Sequence, residues 1–192
     1  MKYIILNEIK NLSSILKLEE TFVPFIIDNK ISVSTGESIT AGLISATIAN
    51  VVGASNVLEM SVVTYTEDAK IKLLNVSRET LSKHTAVSAP TAVEMLQGLS
   101  EVSKSDLNIV TTGYAGPGEN SGLVYLGIKY KDIENIYKLS LKGARNEVRY
   151  KVVNLSFYLS QKIIEEFEGN KLNIGKIFFA WEILFHVKLF NS

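Results

Sequence analysis

The stretch that most constrains this chain is Ser34 to Gly42, Ser-Thr-Gly-Glu-Ser-Ile-Thr-Ala-Gly. An apolar run, Ile31 to Val33, precedes it and reads as a buried strand. A small-residue apolar run, Leu43 to Val52, follows, and its spacing predicts a helix from about Thr40 to Val52. The stretch is therefore expected to be a strand-to-helix turn with two glycines, one acid and several hydroxyls. A helix start leaves backbone N–H groups unpaired and carries partial positive charge. A hydroxyl placed there can cap the helix, help hold an anion, or stand beside a developing oxyanion. Two readings of Ser38 follow, a nucleophile at the turn or, with Thr40, an ordinary N-cap.

Strands and helices alternate through the first two thirds of the chain. Strands are expected at Ile31–Val33, around Met60–Thr64 and over Asp106–Thr112, with helices between them. Ser77 and Ser88 read as helix caps, the second with Pro90 in the first turn, where proline is tolerated. Leu123–Tyr130 and Ile136–Leu141 read as a hairpin turning at Lys131–Asn135. A long helix opens near Gly143 and ends at Gly169-Asn170. The expected fold class is α/β, a three-layer α/β/α sandwich whose sheet is mostly parallel with an antiparallel hairpin portion. Met1 to Leu12 fits either a short strand or the first turns of a helix. Pro24, inside an apolar pattern from Ile15 to Ile26, predicts a kink or a fresh helix start. One domain is expected over residues 1–168. Residues 169–192 form an extension whose apolar spacing from Ile174 to Leu189 predicts an amphipathic helix that docks on the body or on another subunit, so a homo-oligomer is an expectation.

Composition narrows the chemistry. Lys plus Arg and Asp plus Glu are both 20, which offers no electrostatic case for nucleic acid or an anionic membrane. The absence of cysteine removes thiolate nucleophiles, disulfides and Cys-ligated metals together. His84 and His186 stand far apart in no metal-ligand spacing, so no metal and no cofactor are expected. Charged Glu8 and Lys10 interrupt the apolar start, and no signal peptide or spanning segment is read, which makes the cytoplasm the expected compartment.

In parallel α/β sheets, binding groups gather in loops at the carboxyl ends of strands. Three such loops are expected here: Thr35–Gly42, Thr64–Lys70 and Thr111–Gly118. A serine needs a base before it can attack a carbonyl. Lys70 can serve if burial lowers its pKa, or it is a solvated helix lysine. Tyr65 can relay a proton, hold that lysine, or be a strand aromatic in the core. Glu37 can orient Lys70 or a substrate hydroxyl, or be a turn carboxylate. Gly113, Gly116 and Gly118 permit close backbone approach to a ligand, or only a turn before the hairpin. Arg145 and Arg149, one helical turn apart, suit a phosphate, or are surface arginines.

Taken together, these stretches resemble the CinA C-terminal domain family, the nicotinamide mononucleotide deamidases. Glu37-Ser38-Ile39-Thr40-Ala41-Gly42 is similar to the family's Glu-Ser-Cys-Thr-Gly-Gly. The resemblance continues in Val63 to Ile71, Leu74-Asn75-Val76, His84 to Ser88, Thr112 to Pro117 and Gly143 to Arg149. It implies hydrolysis of the amide of nicotinamide mononucleotide to nicotinic acid mononucleotide and ammonia, with a small-molecule nucleotide as the substrate. Carried over by position, Ser38 is the nucleophile, Lys70 its base and Tyr65 a helper at the proton transfer. Thr112 and the Gly113 backbone line the site. Arg145 and Arg149, with the Thr40–Gly42 helix start, are candidates for the ribose phosphate. Ile39 stands where the family has Cys, Ala41 where it has the first Gly of a pair, and Glu119 to Leu123 is shorter than the family's loop and lacks its Lys-Pro. These departures keep an alternative open: a catalytically inactive or altered-specificity homologue that binds a nucleotide or a protein partner.

Overall fold

The computed structural model describes residues 1–7, 18–169 and 187–188. Among the described residues, six main strands form one sheet in the order β3-β2-β4-β5-β6-β1, with a seventh, the short β7 (Val187–Lys188), at its edge beyond β1. The six are β1 (Lys2–Asn7), β2 (Val33–Glu37), β3 (Leu58–Val63), β4 (Leu107–Gly113), β5 (Leu123–Tyr130) and β6 (Ile133–Ser140). β2 pairs in parallel with both β3 and β4, and β1 pairs in parallel with β6. β5 alone among the six runs against its neighbours. The sheet is thus mostly parallel with an antiparallel portion at the hairpin. Met1–Leu12 resolves as strand over the residues described.

Six helices cover the two faces: α1 (Glu19–Asp28), α2 (Leu43–Ala49), α3 (Glu67–Leu74), α4 (Arg78–His84), α5 (Ala89–Ser103) and α6 (Arg145–Glu168). One core gathers α1, α2 and α6 on one side of the sheet, with Phe22 of α1 stacked on Phe157 of α6 at 5.0 Å between ring centroids. The other gathers α3, α4 and α5 around Leu74, Met95, Leu96 and Leu99. β4 feeds both, Ile109 into the first and Val110 into the second, as alternation along a strand requires. Fully burying a side chain of this size contributes about 1.5–3 kcal/mol. Pro24 lies inside α1, between the buried Val23 and Ile26, so of the two outcomes expected there the fresh helix start does not occur.

Three expectations need correction. The strand expected at Ile31–Val33 runs instead over Val33–Glu37, so half of the stretch read as a turn is the central parallel strand. Its polar side chains conceal this. Each is buried and finds a tertiary partner: Ser34 meets Ser105 at 2.7 Å, and Thr35 meets Ser61 at 2.7 Å. The helix after it starts at Leu43, three residues later than expected, because Ala41 and Gly42 both adopt positive φ. Of the 169–192 extension, Gly169, which caps α6, and Val187–Lys188 fall within the described residues. Val187–Lys188 forms the short strand β7, antiparallel to β1, where helix was expected. The rest of the segment expected to form a docking helix lies outside the described residues, as does the part of the Ile15–Ile26 pattern before Leu18.

Gly98 decides how closely α5 approaches α3. A Cβ built there would stand 1.9 Å from the Leu74 carbonyl oxygen, which is backbone and cannot swing aside. Gly98→Ala is expected to push α3 outward and cost about 1–3 kcal/mol, read as a lower denaturant midpoint at unchanged m-value. Because α3 carries Lys70, the same variant tests the packing that sets this side chain's depth. Among the described residues no helix is long and apolar enough to cross a membrane.

Candidate active site

The carboxyl ends of β2, β3 and β4 lie at one edge of the sheet, since Glu37 pairs with Val63 on one side and Thr111 on the other. The segments that follow these strands therefore emerge side by side. They border a cavity of about 350 Å³ lined by Ser38, Lys70, Tyr65, Thr112, Gly113 and Arg145 among others.

Ser38 follows β2 directly. Its N–H donates to the Thr111 carbonyl at 3.0 Å, which continues the ladder one residue beyond the strand. Its carbonyl accepts from Ala41 N–H at 3.1 Å and closes the turn. The side chain of Ser38 thus sits on a backbone tied at both ends. Lys70 arrives from α3, whose start is set by Thr66: the hydroxyl accepts from Ala69 N–H at 3.1 Å, with Glu67 and Asp68 in the first turn. One turn in, Lys70 faces the sheet and is 1% exposed. Its Nζ donates to Ser38 Oγ at 3.0 Å and to the Thr64 carbonyl at 2.7 Å. Burial lowers its pKa to about 8, opposed by the nearby Glu67 carboxylate. A lysine so placed is a base that can be emptied near neutral pH, in contact with a hydroxyl that needs one.

Tyr65 lines the same cavity but at its mouth, 56% exposed. Its hydroxyl accepts from Arg145 Nη2 at 3.1 Å. The lysine is held by the Thr64 carbonyl and Ser38 instead, so the expectation that Tyr65 holds it is corrected by one residue. Arg145 also donates from Nη1 to the Gly116 carbonyl at 2.9 Å. It is exposed, and both of these partners are neutral oxygens.

Glu37 is fully buried and does not reach Lys70. Its carboxylate accepts from Ile44 N–H at 3.1 Å, Ser45 N–H at 3.0 Å and the Thr35 hydroxyl at 3.0 Å. It does for α2 what a capping side chain would, because Gly42 at the N-cap has none. Those N–H groups are consequently unavailable to a phosphate. Thr40 is also buried, its hydroxyl 2.9 Å from that of Thr111, and neither Thr40 nor Gly42 lines the cavity. Arg149 turns away from the opening: Nε donates to the Ile39 carbonyl at 3.2 Å and Nη2 to the Thr40 carbonyl at 2.7 Å. The structure therefore brings Ser38, Lys70, Tyr65, Thr112, Gly113 and Arg145 to the cavity, and uses Glu37, Thr40, Gly42 and Arg149 to build the turn behind it.

Thr112 donates its hydroxyl to the Ala86 carbonyl at 2.6 Å. This bond holds the segment between α4 and α5 against β4, and Ala86 and Val87 form a wall of the cavity. Sequence reasoning did not place them there. The rule that collects loops at strand ends has no term for a helix-to-helix connection; the only sequence signal was the run from His84 to Ser88. Gly113 is required by packing, since a Cβ there would lie 2.8 Å from the Leu123 carbonyl oxygen.

The family profile described as the CinA C-terminal domain matches residues 15–164. A CinA-like protein of Fusobacterium nucleatum is 41% identical over 144 residues, which is 72% of this chain and 35% of that protein. A CinA-like protein of Kosmotoga olearia is 40% identical over 137 residues, 69% of this chain and 33% of that protein. The chain spans about a third of the length of the curated relatives it matches. Among solved structures, the competence/damage inducible protein CihA from Agrobacterium tumefaciens superposes with a TM-score of 0.71 at 32% identity, over 74% of this chain and 91% of that one. The competence damage-inducible protein A (ComA) from Klebsiella pneumoniae gives 0.73 at 28% identity, over 77% and 96%.

Proposed function

The chain belongs to the CinA C-terminal domain family, and from that premise we propose that it hydrolyses the ring carboxamide of nicotinamide mononucleotide, releasing ammonia and nicotinic acid mononucleotide. The observation that carries this reading is the 3.0 Å contact between Lys70 Nζ and Ser38 Oγ at a cavity of nucleotide-accommodating size. In the proposed reaction, neutral Lys70 takes the Ser38 proton as Oγ attacks the amide carbon. Among the described residues nothing accepts the N–H of Ile39 or Thr40, and these two donors are the candidates for the oxyanion that forms. Collapse of the tetrahedral intermediate breaks the C–N bond, and the lysine returns its proton to the departing ammonia. Water then attacks the ester and gives its proton to Lys70, which passes it to Ser38 Oγ as the C–Oγ bond breaks and the acid product leaves. Arg145, whose partners are neutral oxygens, is suited to the phosphate, with Tyr65 beside it.

The test is release of ammonia and nicotinic acid mononucleotide by purified protein given nicotinamide mononucleotide. A folded protein that binds the nucleotide, read as a raised unfolding temperature, and yields no product overturns the reading in favour of a binding relative.

The lysine adds a pH prediction. Only its neutral form can accept the proton, so kcat/KM is expected to rise through a pKa of about 8 as pH increases. Stability carries the same signature. The folded-state pKa lies below the ordinary lysine value of 10.5, so the unfolded chain binds more protons between about pH 8 and 10.5, and stability rises with pH across that window. Lys70→Met is expected to lose that rise. A rise that persists unchanged in the variant assigns the titration to another group.

A further inference from the structure

Arg149 is engaged at every nitrogen of its guanidinium. Besides the Ile39 and Thr40 carbonyls, Nη1 donates to Asn146 Oδ1 at 3.2 Å within the same helix. It reaches from the first turns of α6 across more than a hundred residues of sequence to the Ile39–Thr40 and Thr40–Ala41 peptide units, the second and third after Ser38. We infer that Arg149 is a positioning residue for the attack by Ser38, acting through those two peptides rather than on the substrate's phosphate. The inference rests on Ser38 being the nucleophile of the proposed reaction.

A trans peptide points its C=O and N–H in opposite directions. Arg149 grips the Ile39 carbonyl, so the N–H of the same peptide, that of Thr40, is directed away from the guanidinium, and no described residue accepts it. The second grip, on the Thr40 carbonyl, belongs to the peptide whose N–H is that of Ala41. That N–H donates to the Ser38 carbonyl. One side chain therefore orients a free donor two residues after the nucleophile and, through Ala41, the nucleophile's own backbone. A charged donor on a carbonyl also polarises the amide and strengthens the N–H on its far side. The turn needs such a clamp: Ala41 and Gly42 both sit at positive φ, at 52° and 87°, and Ala41 carries a Cβ that disfavours that region.

Lysine can bond either carbonyl but not both with a planar fork, and methionine can bond neither. Steady-state kinetics on nicotinamide mononucleotide should therefore show kcat falling on the order of 10²-fold in Arg149→Met, the usual scale for a disabled oxyanion donor, with KM within about twofold and a partial recovery in Arg149→Lys. Arg145→Met should do the opposite, raising KM with kcat nearly kept. Labelling of Ser38 by a fluorophosphonate, which forms the Ser Oγ–P bond, expels fluoride and needs no nucleotide, is expected to slow in Arg149→Met and not in Arg145→Met. Circular dichroism establishes folding; if Arg149→Met does not fold, Arg149→Lys carries the same comparison. Arg149→Met that raises KM alone, or that labels as fast as the wild type, overturns the inference. A wild type that labels at Ser38 yet releases no ammonia overturns the substrate reading alone.

Discussion

Ser38→Ala is expected to abolish ammonia release from nicotinamide mononucleotide, a loss of about 10⁴-fold or more by analogy with other serine hydrolases deprived of their nucleophile. Lys70→Met should be equally severe, because the two side chains share one hydrogen bond and one proton. The double variant should then be no worse than either alone, since a nucleophile without its base and a base without its nucleophile fail at the same step. Stability separates the two singles. Ser38→Ala removes one oxygen from a nearly buried site and leaves Lys70 its bond to the Thr64 carbonyl. Lys70→Met removes an amine whose protonated form burial disfavours, and so raises the unfolding temperature at neutral pH relative to Ser38→Ala. Full turnover in either single variant sinks the assignment of roles.

Glu37→Gln carries the largest expected effect on stability. The carboxylate is fully buried and accepts three hydrogen bonds, two of them from the first turn of α2. Glutamine keeps one acceptor oxygen and turns an NH₂ donor toward groups that are themselves donors. It also removes negative charge from a helix start. Bonds to a charged group are worth about 1.5–3 kcal/mol each, and leaving a buried donor unmade costs about 1–3 kcal/mol. A loss of about 2–4 kcal/mol is expected in denaturant titration. Since α2 and the Ser38 turn share this anchor, activity should fall with stability and return in part at lower temperature. A variant as stable as the wild type would mean that α2 is capped by something else.

Much of the fold was legible because local chemistry and tertiary structure agree there. Ser77 and Ser88 cap the helices they precede, accepting from Thr80 and Thr91 N–H at 3.0 and 3.3 Å. β5 spans Leu123–Tyr130, as its apolar spacing predicts, and α3 is one of the helices expected between β3 and β4. The hairpin turn is tighter than read, because β6 begins at Ile133 and leaves only Lys131 and Asp132 between the strands. β2 was the harder case. Periodicity registers apolar side chains, and Ser34, Thr35 and Glu37 are buried through hydrogen bonds to residues as distant as Ser105. No local signal encodes a partner 71 residues away.

The candidate site divides along the same line. Sequence alone was enough to nominate Ser38, Lys70 and Arg145, because a hydroxyl after a strand, a lysine one turn into a helix and an arginine at a helix start are local features. It could not separate a residue that faces the cavity from one that builds the wall behind it. Glu37 and Arg149 differ from Lys70 and Arg145 in nothing that composition or spacing records. They differ in which backbone groups surround them once β2, α2 and α6 have packed, and an ionised side chain among unpaired N–H or C=O groups is drawn to those before any ligand arrives. Only the tertiary structure decides that competition, because the competing groups come from strands and helices that meet only when the sheet is assembled.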